Sequence, residues 1–242
     1  MKAVIIAGGE GTRLRPLTYW RPKPLLPLWG TPMLEQQIEK LKKAGVRDII
    51  VNTGYLSSKF EEHFAGREGI SLSQEKTPLG TAGAVKLAKS LYQDTGDIII
   101  LNADIVTELN FEDLIKFHVE GGNDVTLFSV RVDDPSRFGL IVADDSKKVS
   151  GFLEKLPLSE AKKHTNQFFI NGGAYIMKAH LLSQFPTGVP LSFEKNVFPT
   201  LIGQGFLVRR FDFDGYWIDV GTKKSYLRAH WDMLLRKLNV NV

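Results

Sequence analysis

The chain contains no cysteine. That excludes a disulfide framework, a thiolate zinc site and a cysteine nucleophile. Histidine is scarce, and its five copies share no metal-ligand spacing. His118 and His230 fall in expected helices, where a packed or surface histidine is the ordinary reading. No serine nucleophile elbow is present, and there is no internal repeat or low-complexity linker. No apolar run approaches membrane-spanning length, and the N-terminus opens on a strand rather than a signal-peptide pattern. Charge of one sign barely dominates: a net +4 reads as a solvated surface with a slight lysine excess. Without basic runs interleaved with aromatics, nucleic acid is not an expected partner, and neither is a membrane. The remaining composition, 43% hydrophobic and 24% charged, is that of a globular protein with a sizeable core. A cytoplasmic enzyme or binding protein is the default expectation.

What the chain does have comes at once. The apolar run Ala3-Val4-Ile5-Ile6-Ala7 reads as a strand buried on both faces. It empties into Gly8-Gly9-Glu10-Gly11-Thr12-Arg13-Leu14-Arg15-Pro16. Glycines let the backbone turn sharply and let a ligand approach its N–H groups, which suit an anion. Across residues 8 to 30 Glu10 is the one acid, against Arg13, Arg15, Arg21 and Lys23. Lys23 lies between Pro22 and Pro24, on a stiff, extended arm. The loop is neither a dinucleotide fingerprint, since Leu14 replaces the third glycine, nor a P-loop. It reads as a polyphosphate cradle.

Further along, Thr31-Pro32 reads as an N-cap and first turn for a helix carrying Met33, Leu34, Ile38 and Leu41, ended by Gly45. Strands are expected at 48–52, 70–73 and 97–102, and helices around Phe60 and Phe64 and after the glycine-rich loop 78–84. This alternation predicts a Rossmann-like α/β fold, a mostly parallel mixed sheet flanked by helices. Ligands of such sheets sit beyond the carboxyl ends of the strands, where both glycine loops and Asp104 fall. The second half is less regular. Strands are expected at 125–130, 138–142, 149–154, 169–177 and 206–213, with helices at 111–118 and 193–201. Thr222 is expected to cap a last helix whose Tyr226, Leu227, Trp231, Leu234, Leu235 and Leu238 form an apolar stripe. That stripe is read as core, with a homodimer interface as the alternative. The whole reads as one domain, its nucleotide half about 1–108 and its second half about 109–242.

Asp104 and Asp219 each end a strongly apolar segment, where a carboxylate suits a hard cation such as magnesium. Taken singly, each reads equally well as a turn aspartate. A polyphosphate cradle favours the first reading, because bound triphosphate brings magnesium. Glu154-Lys155 and Asn171-Gly172-Gly173 form a third set: carboxylate and amide suit sugar hydroxyls and lysine suits phosphate, although a strand-end ion pair explains the first two as well.

Together these residues resemble the sugar-1-phosphate nucleotidyltransferases. The resemblance is carried by Gly8 to Leu14 with Pro22-Lys23-Pro24-Leu25, then Leu79-Gly80-Thr81-Ala82-Gly83, Asn102-Ala103-Asp104, Phe152-Leu153-Glu154-Lys155, Asn171-Gly172-Gly173 and Trp217-Ile218-Asp219-Val220-Gly221, in order along the chain. It implies a magnesium-dependent attack of a sugar 1-phosphate on a nucleoside triphosphate, giving a nucleotide sugar and pyrophosphate. By this resemblance Arg13 and Lys23 would be catalytic. Ala7, Gly8, Gly9, Gly11, Thr12, Leu79, Gly80, Thr81 and Asn102 would bind nucleotide. Glu154, Lys155, Asn171 and Gly173 would contact the sugar phosphate, and Asp104 and Asp219 would hold Mg2+. Two departures stand out: Ala103 replaces a common glycine, and Leu156 a common proline after the Glu-Lys pair. The chain stops without the left-handed β-helix of some relatives, so a second, acyltransferase activity is not expected. Loops 78–84, 192–194 and 213–219 look most like guanylyltransferases for mannose or D-glycero-D-manno-heptose 1-phosphate. Uridylyl- and thymidylyltransferases for other sugar 1-phosphates are the alternative. A phosphocholine cytidylyltransferase and a non-catalytic regulatory homologue rank lower.

Overall fold

The computed structural model describes residues 1–93, 96–165 and 167–235, and the backbone alone of Glu154. The first half runs β1 (Lys2–Ile6), β2 (Pro27–Leu28), β3 (Thr31–Pro32), α1 (Met33–Lys43), β4 (Ile49–Thr53), α2 (Ser57–Phe64), β5 (Ile70–Gln74), α3 (Gly80–Leu87), α4 (Lys89–Tyr92), β6 (Asp97–Asn102) and β7 (Ile105–Thr107). The second runs α5 (Phe111–Glu120), β8 (Val125–Val132), β9 (Gly139–Ala143), β10 (Val149–Glu154), α6 (Leu158–Ala161), β11 (Phe168–Lys178), α7 (Phe198–Gly203), β12 (Val208–Phe213), β13 (Trp217–Asp219) and α8 (Lys223–Leu234).

The main sheet has the order β10-β9-β11-β6-β1-β4-β5, with β8 pairing both β11 and β12. Strand β1 lies between β4 and β6, parallel to both, and β4 is parallel to β5. The parallel expectation holds for this half, where helices supply the crossovers. Around β11 the sheet turns antiparallel: β11 opposes β6, β8 and β9, and β9 and β10 form a hairpin. The result is a mixed sheet flanked by helices.

Both faces of β1, β4 and β6 are buried, which is why these strands are so largely apolar, whereas the edge strand β5 alternates with polar residues and is partly exposed. Ala3, Ile5, Val51, Ile99 and Leu101 pack with Leu34, Ile38, Leu41, Phe60, Phe64 and Leu114 on one face. Val4, Ile50, Ile98 and Ile100 pack with Ala82, Val85, Tyr92, Tyr175 and Phe198 on the other. Each such large side chain contributes about 1.5–3 kcal/mol on burial. A third cluster joins Leu14, Leu26, Leu28 and Met33 to Val106, Ile218, Val220 and Ala229. It clamps the first glycine loop between the β7–β13 ribbon and α8.

Three expectations are corrected. Thr31-Pro32 does not cap α1; it pairs with Pro27–Leu28 as a small ribbon, and Pro32 precedes the helix without a side-chain cap. Residues 193–201 begin as a π-helical turn, Phe193–Val197, before α7. The stripe of α8 is not core: Leu227, Trp231, Leu234 and Leu235 are 59, 62, 57 and 63% exposed. Ala229 and Asp232 face inward instead, with Tyr226 and Met233 against the third cluster. Leu238 lies outside the described residues. The capping box is present, with Thr222 Oγ1 accepting from the Ser225 N–H and Ser225 Oγ from the Thr222 N–H. His118 is buried beside Thr126, as a packed histidine, with its ring nitrogen 2.8 Å from the hydroxyl.

Candidate functional site

The loop after β1 is held at several points. The Ala7 N–H donates to the Asn52 carbonyl at 2.8 Å. Gly11 has a φ of 62°, and a Cβ there would lie 3.0 Å from Lys23 Cβ, so glycine is needed for both conformation and space. Thr18 Oγ1 donates to the Gly11 carbonyl at 2.9 Å. Leu14, the residue in place of a third glycine, is fully buried and anchors a 3-10 turn over Thr12–Leu14. The two arginines separate in role: Arg15 pairs with Glu10 at 3.1 Å, whereas Arg13 lies against Gly221 near Asp219. Lys23 is 8% exposed and donates to Asp104 Oδ2 at 2.6 Å. Removing Asp104 would leave the buried Lys23 ammonium without this partner, whereas the partly exposed Asp104 keeps access to water.

Asp104 sits in the turn from β6 to β7. Gln37 of α1, itself buried, donates through Nε2 to the carbonyls on either side, Asn102 at 3.0 Å and Ile105 at 2.9 Å. Strand β13 then pairs with β7, placing Asp219 opposite Ile105, and the Val220 N–H donates to the Asp104 carbonyl at 2.9 Å. Burial and the Asp104 charge push the Asp219 carboxyl up from its ordinary value, against the opposing pull of Lys23, Arg13 and Arg137. Its Oδ1 is buried without a hydrogen-bond partner. Among the described residues no group of three or more histidine, cysteine or acidic side chains could hold a metal ion. Two adjacent carboxylates with an unsatisfied oxygen nevertheless fit Mg2+, which needs few protein ligands.

A cavity of about 340 Å3 opens here, lined by Ala7, Gly9, Gly11, Thr12, Arg13, Lys23, Thr81, Asn102 and Asp104 among others. Beside it, Glu75 packs against Gly8, where a Cβ would lie 2.0 Å from Glu75 Oε1, and its Oε2 accepts from the Leu79 N–H at 3.1 Å. Burial pushes the Glu75 carboxyl up, partly offset by that N–H. The second glycine loop packs closely on a distant stretch of chain: Gly80 has a φ of 70°, and a Cβ there would lie 2.7 Å from the Leu191 carbonyl. That carbonyl takes the Ala82 and Gly83 N–H groups at 2.9 and 3.1 Å.

Across the cavity, Asn171 Oδ1 accepts from the Gly173 N–H at 3.0 Å, and its Nδ2 donates to the Tyr175 hydroxyl at 2.6 Å. The Gly172-Gly173 pair lies within a register shift of β11 against β8. Trp217 Nε1 donates to the Gly172 carbonyl at 2.9 Å, and its ring packs on Phe138 with centroids 5.6 Å apart. The Lys155 N–H donates to the Phe138 carbonyl at 2.9 Å. Thus Phe138 and Trp217 connect the end of β10, the register shift of β11 at Gly172 and the strand β13 that ends in Asp219.

Residues 2–235 match the nucleotidyl transferase family. The chain belongs to that family. It is 38% identical to the mannose-1-phosphate guanylyltransferase catalytic subunit beta of Danio rerio, over 94% of this chain and 63% of that protein. It is 38% identical to the mannose-1-phosphate guanyltransferase of Schizosaccharomyces pombe, over 94% of this chain and 62% of that one. It therefore spans less than two thirds of the length of these relatives. Among solved structures, HddC from Yersinia pseudotuberculosis superposes with a TM-score of 0.79 at 28% identity, covering 96% of this chain and 99% of that one. The same protein complexed with GMP-PN gives a TM-score of 0.77 at 28% identity over the same shares. A putative glucose-1-phosphate thymidylyltransferase from Bacillus anthracis gives 0.85 at 23% identity, covering 100% and 98% of the two chains, a likeness of fold.

In this member of the family, Arg13, Lys23, Asp104 and Asp219, the residues expected to hold phosphates and metal, lie close together. Leu79 has both backbone groups committed within the protein, its N–H to Glu75 and its carbonyl to the Leu191 N–H at 2.8 Å. The Glu154 side chain lies outside what is described. Sequence reasoning passed over Glu75, Gln37 and Glu194 as site residues. Gln37 had a readable signal, a polar residue within the apolar stripe Leu34–Ile38–Leu41; Glu194 lies within the marked loop 192–194, and Glu75 had no signal beyond lying near loop 78–84.

Proposed function

We propose that the chain transfers a nucleotidyl group from a nucleoside triphosphate to a sugar 1-phosphate, releasing pyrophosphate, with GTP and mannose or heptose 1-phosphate as the favoured pair. The carrying observation is the meeting of Arg13 and Lys23 with Asp104 and Asp219 beside the glycine loop. A sugar 1-phosphate oxygen is already anionic at neutral pH, so no general base is required. That oxygen bonds to the α-phosphorus as the bond from the α-phosphorus to the pyrophosphate oxygen breaks. Lys23 meets charge near the α-phosphate, Arg13 takes charge on the departing pyrophosphate, and loop N–H groups orient the chain of phosphates. Asp104 and Asp219 hold Mg2+, which when bound neutralises phosphate charge. Glu154, Lys155, Asn171 and Gly173 receive the sugar phosphate on the second half of the chain, residues 109–242, facing the nucleotide half, residues 1–108.

Glu75 supports guanine. Guanine offers two adjacent donors, N1–H and the N2 amino group, and an ionised carboxylate is an acceptor with two oxygens. Uracil and thymine offer one N–H flanked by two carbonyls, which a carboxylate repels. The names of the relatives and the GMP-PN complex of HddC point the same way. The test is a matrix of triphosphates and sugar 1-phosphates with magnesium, read by pyrophosphate release. Turnover is expected with GTP and mannose or heptose 1-phosphate. No release from any pair would sink the proposal; release with UTP or TTP instead would overturn the choice of base.

A further inference from the structure

Glu194 lies in the π-helical turn Phe193–Val197, and its carboxylate meets the adjacent Ser192 and two remote stretches of chain, at Thr81 and at Asn171–Tyr175. Its Oε2 accepts from Ser192 Oγ at 2.7 Å and from Thr81 Oγ1 at 3.2 Å. Its Oε1 accepts from the Tyr175 hydroxyl at 3.1 Å and from Asn171 Nδ2 at 3.4 Å. An ionised carboxylate has about four acceptor sites, and here each meets a donor. It has no capacity left for a substrate hydroxyl, so its work is internal.

Each donor passes the restraint onward. The Thr81 hydroxyl, donating to Glu194, also accepts from the Phe193 N–H at 3.0 Å. Both its roles are used, its rotamer is held, and it lines the phosphate cavity. Asn171, held through Nδ2, grips the Gly173 N–H through Oδ1, and Gly173 lies against the Asn102 amide on the same cavity. The Tyr175 ring is fully buried between Phe193 and Phe198, with centroids 5.4 and 4.9 Å away, so its hydroxyl cannot swing. Backbone bonds already tie residues 79–83 to 191–193; what the Glu194 carboxylate adds is a shared acceptor linking Thr81 to Asn171 and Tyr175.

We propose that Glu194 is a positioning residue, a strut that keeps Thr81 on the nucleotide side and Asn171 on the sugar-phosphate side at one separation. The role rests on the functional reading above. Attack on the α-phosphorus needs the two substrates aligned, and a displacement of about 1 Å costs on the order of 100-fold in rate. A strut therefore acts on turnover rather than on the affinity of either substrate alone.

The experiment compares wild type with Glu194→Gln, using the substrate pair that the wild-type matrix selects. It reads kcat for pyrophosphate release, the Kd of each substrate alone (a non-hydrolysable analogue for the triphosphate) and the melting midpoint. Glutamine keeps the shape but has a single acceptor oxygen and cannot serve four donors. Expected is a fall in kcat of about 100-fold with both Kd values within about threefold of wild type. Tyr175→Phe, which keeps the ring and removes one donor, is expected to lose about fivefold in kcat in the same pattern, and it carries the test if Glu194→Gln does not fold. A folded Glu194→Gln with unchanged kcat, or with its loss carried by the Kd of one substrate, overturns the proposal; so does unchanged kcat in Tyr175→Phe when it is the variant that carries the test. A wild-type chain that is inactive with every pair overturns the functional reading, and this role falls with it.

Discussion

Burial against Gly8 makes Glu75 a costly carboxylate, and its proposed contact with guanine compensates that cost in the bound state. Replacing it should change which base is used. Glu75→Gln is expected to lower kcat/KM for GTP about 100-fold and to narrow the gap to UTP and TTP, measured as pyrophosphate release. Acid should act on the same atom. Burial raises the pKa of Glu75, so as pH falls through that raised value the carboxyl gains a proton. It then presents a donor to guanine's own donors, and the KM for GTP climbs; a glutamine at 75 should flatten that climb. A rise of equal size in the variant would remove Glu75 from base recognition. The acid was overlooked because a lone carboxylate three residues before Pro78 looks like a loop residue; its meaning appears when β5 brings it beside the first glycine loop.

Among the elements, α1 and α8 show what an apolar pattern can and cannot tell. The period of Leu34, Ile38 and Leu41 marks the docking face of α1 correctly, and within that face Gln37 grips the turn bearing Asp104. Gln37→Leu removes both bonds and puts an apolar side chain of similar size in the apolar stripe. Its expected effect is a fall in kcat of about 10-fold with a small change in melting midpoint, since two carbonyls lose a donor and the turn is freed. Unchanged turnover would make Gln37 a packing residue only. In α8 the pattern misleads. The helix docks through Tyr226, Ala229 and Asp232, the last accepting from the Tyr216 hydroxyl at 3.0 Å, and turns its larger apolar stripe outward. A buried aspartate satisfied by a distant tyrosine cannot be seen from spacing, so the stripe looked like the inner face.

At the scale of the whole molecule, one electrostatic cost lies at the pair Asp104 and Asp219, brought together by β7 and β13. Asp219 is half-buried, with its Oδ1 enclosed and unpartnered, and the charge of Asp104 acts on it against the opposing pull of Lys23 and Arg13. Asp219→Asn is expected to raise the metal-free melting midpoint by about 2–4 °C, as for a gain of about 1 kcal/mol, while turnover falls at least about 1,000-fold. Millimolar Mg2+ should raise the midpoint of wild type but not of the variant, because a ligand that binds the folded state alone stabilises it. A variant that melts lower than wild type without metal, or responds equally to it, would contradict this account. The same scale explains what could be read in advance. The parallel half was legible because strands buried on both faces read as unbroken apolar runs, and the phosphate and metal residues sit at their ends. The antiparallel half was less so, since β11 makes three partnerships at once and its pairing depends on a register shift at Gly172-Gly173. The glycine loop at 80–83 was legible as a motif but its packing was not, because the backbone it accommodates arrives from residues 189–191, far later in the chain. A descendant that lost catalysis altogether would still have to keep those glycines to fold, so their presence in a chain testifies to shared architecture and says little about whether that chain is a living enzyme.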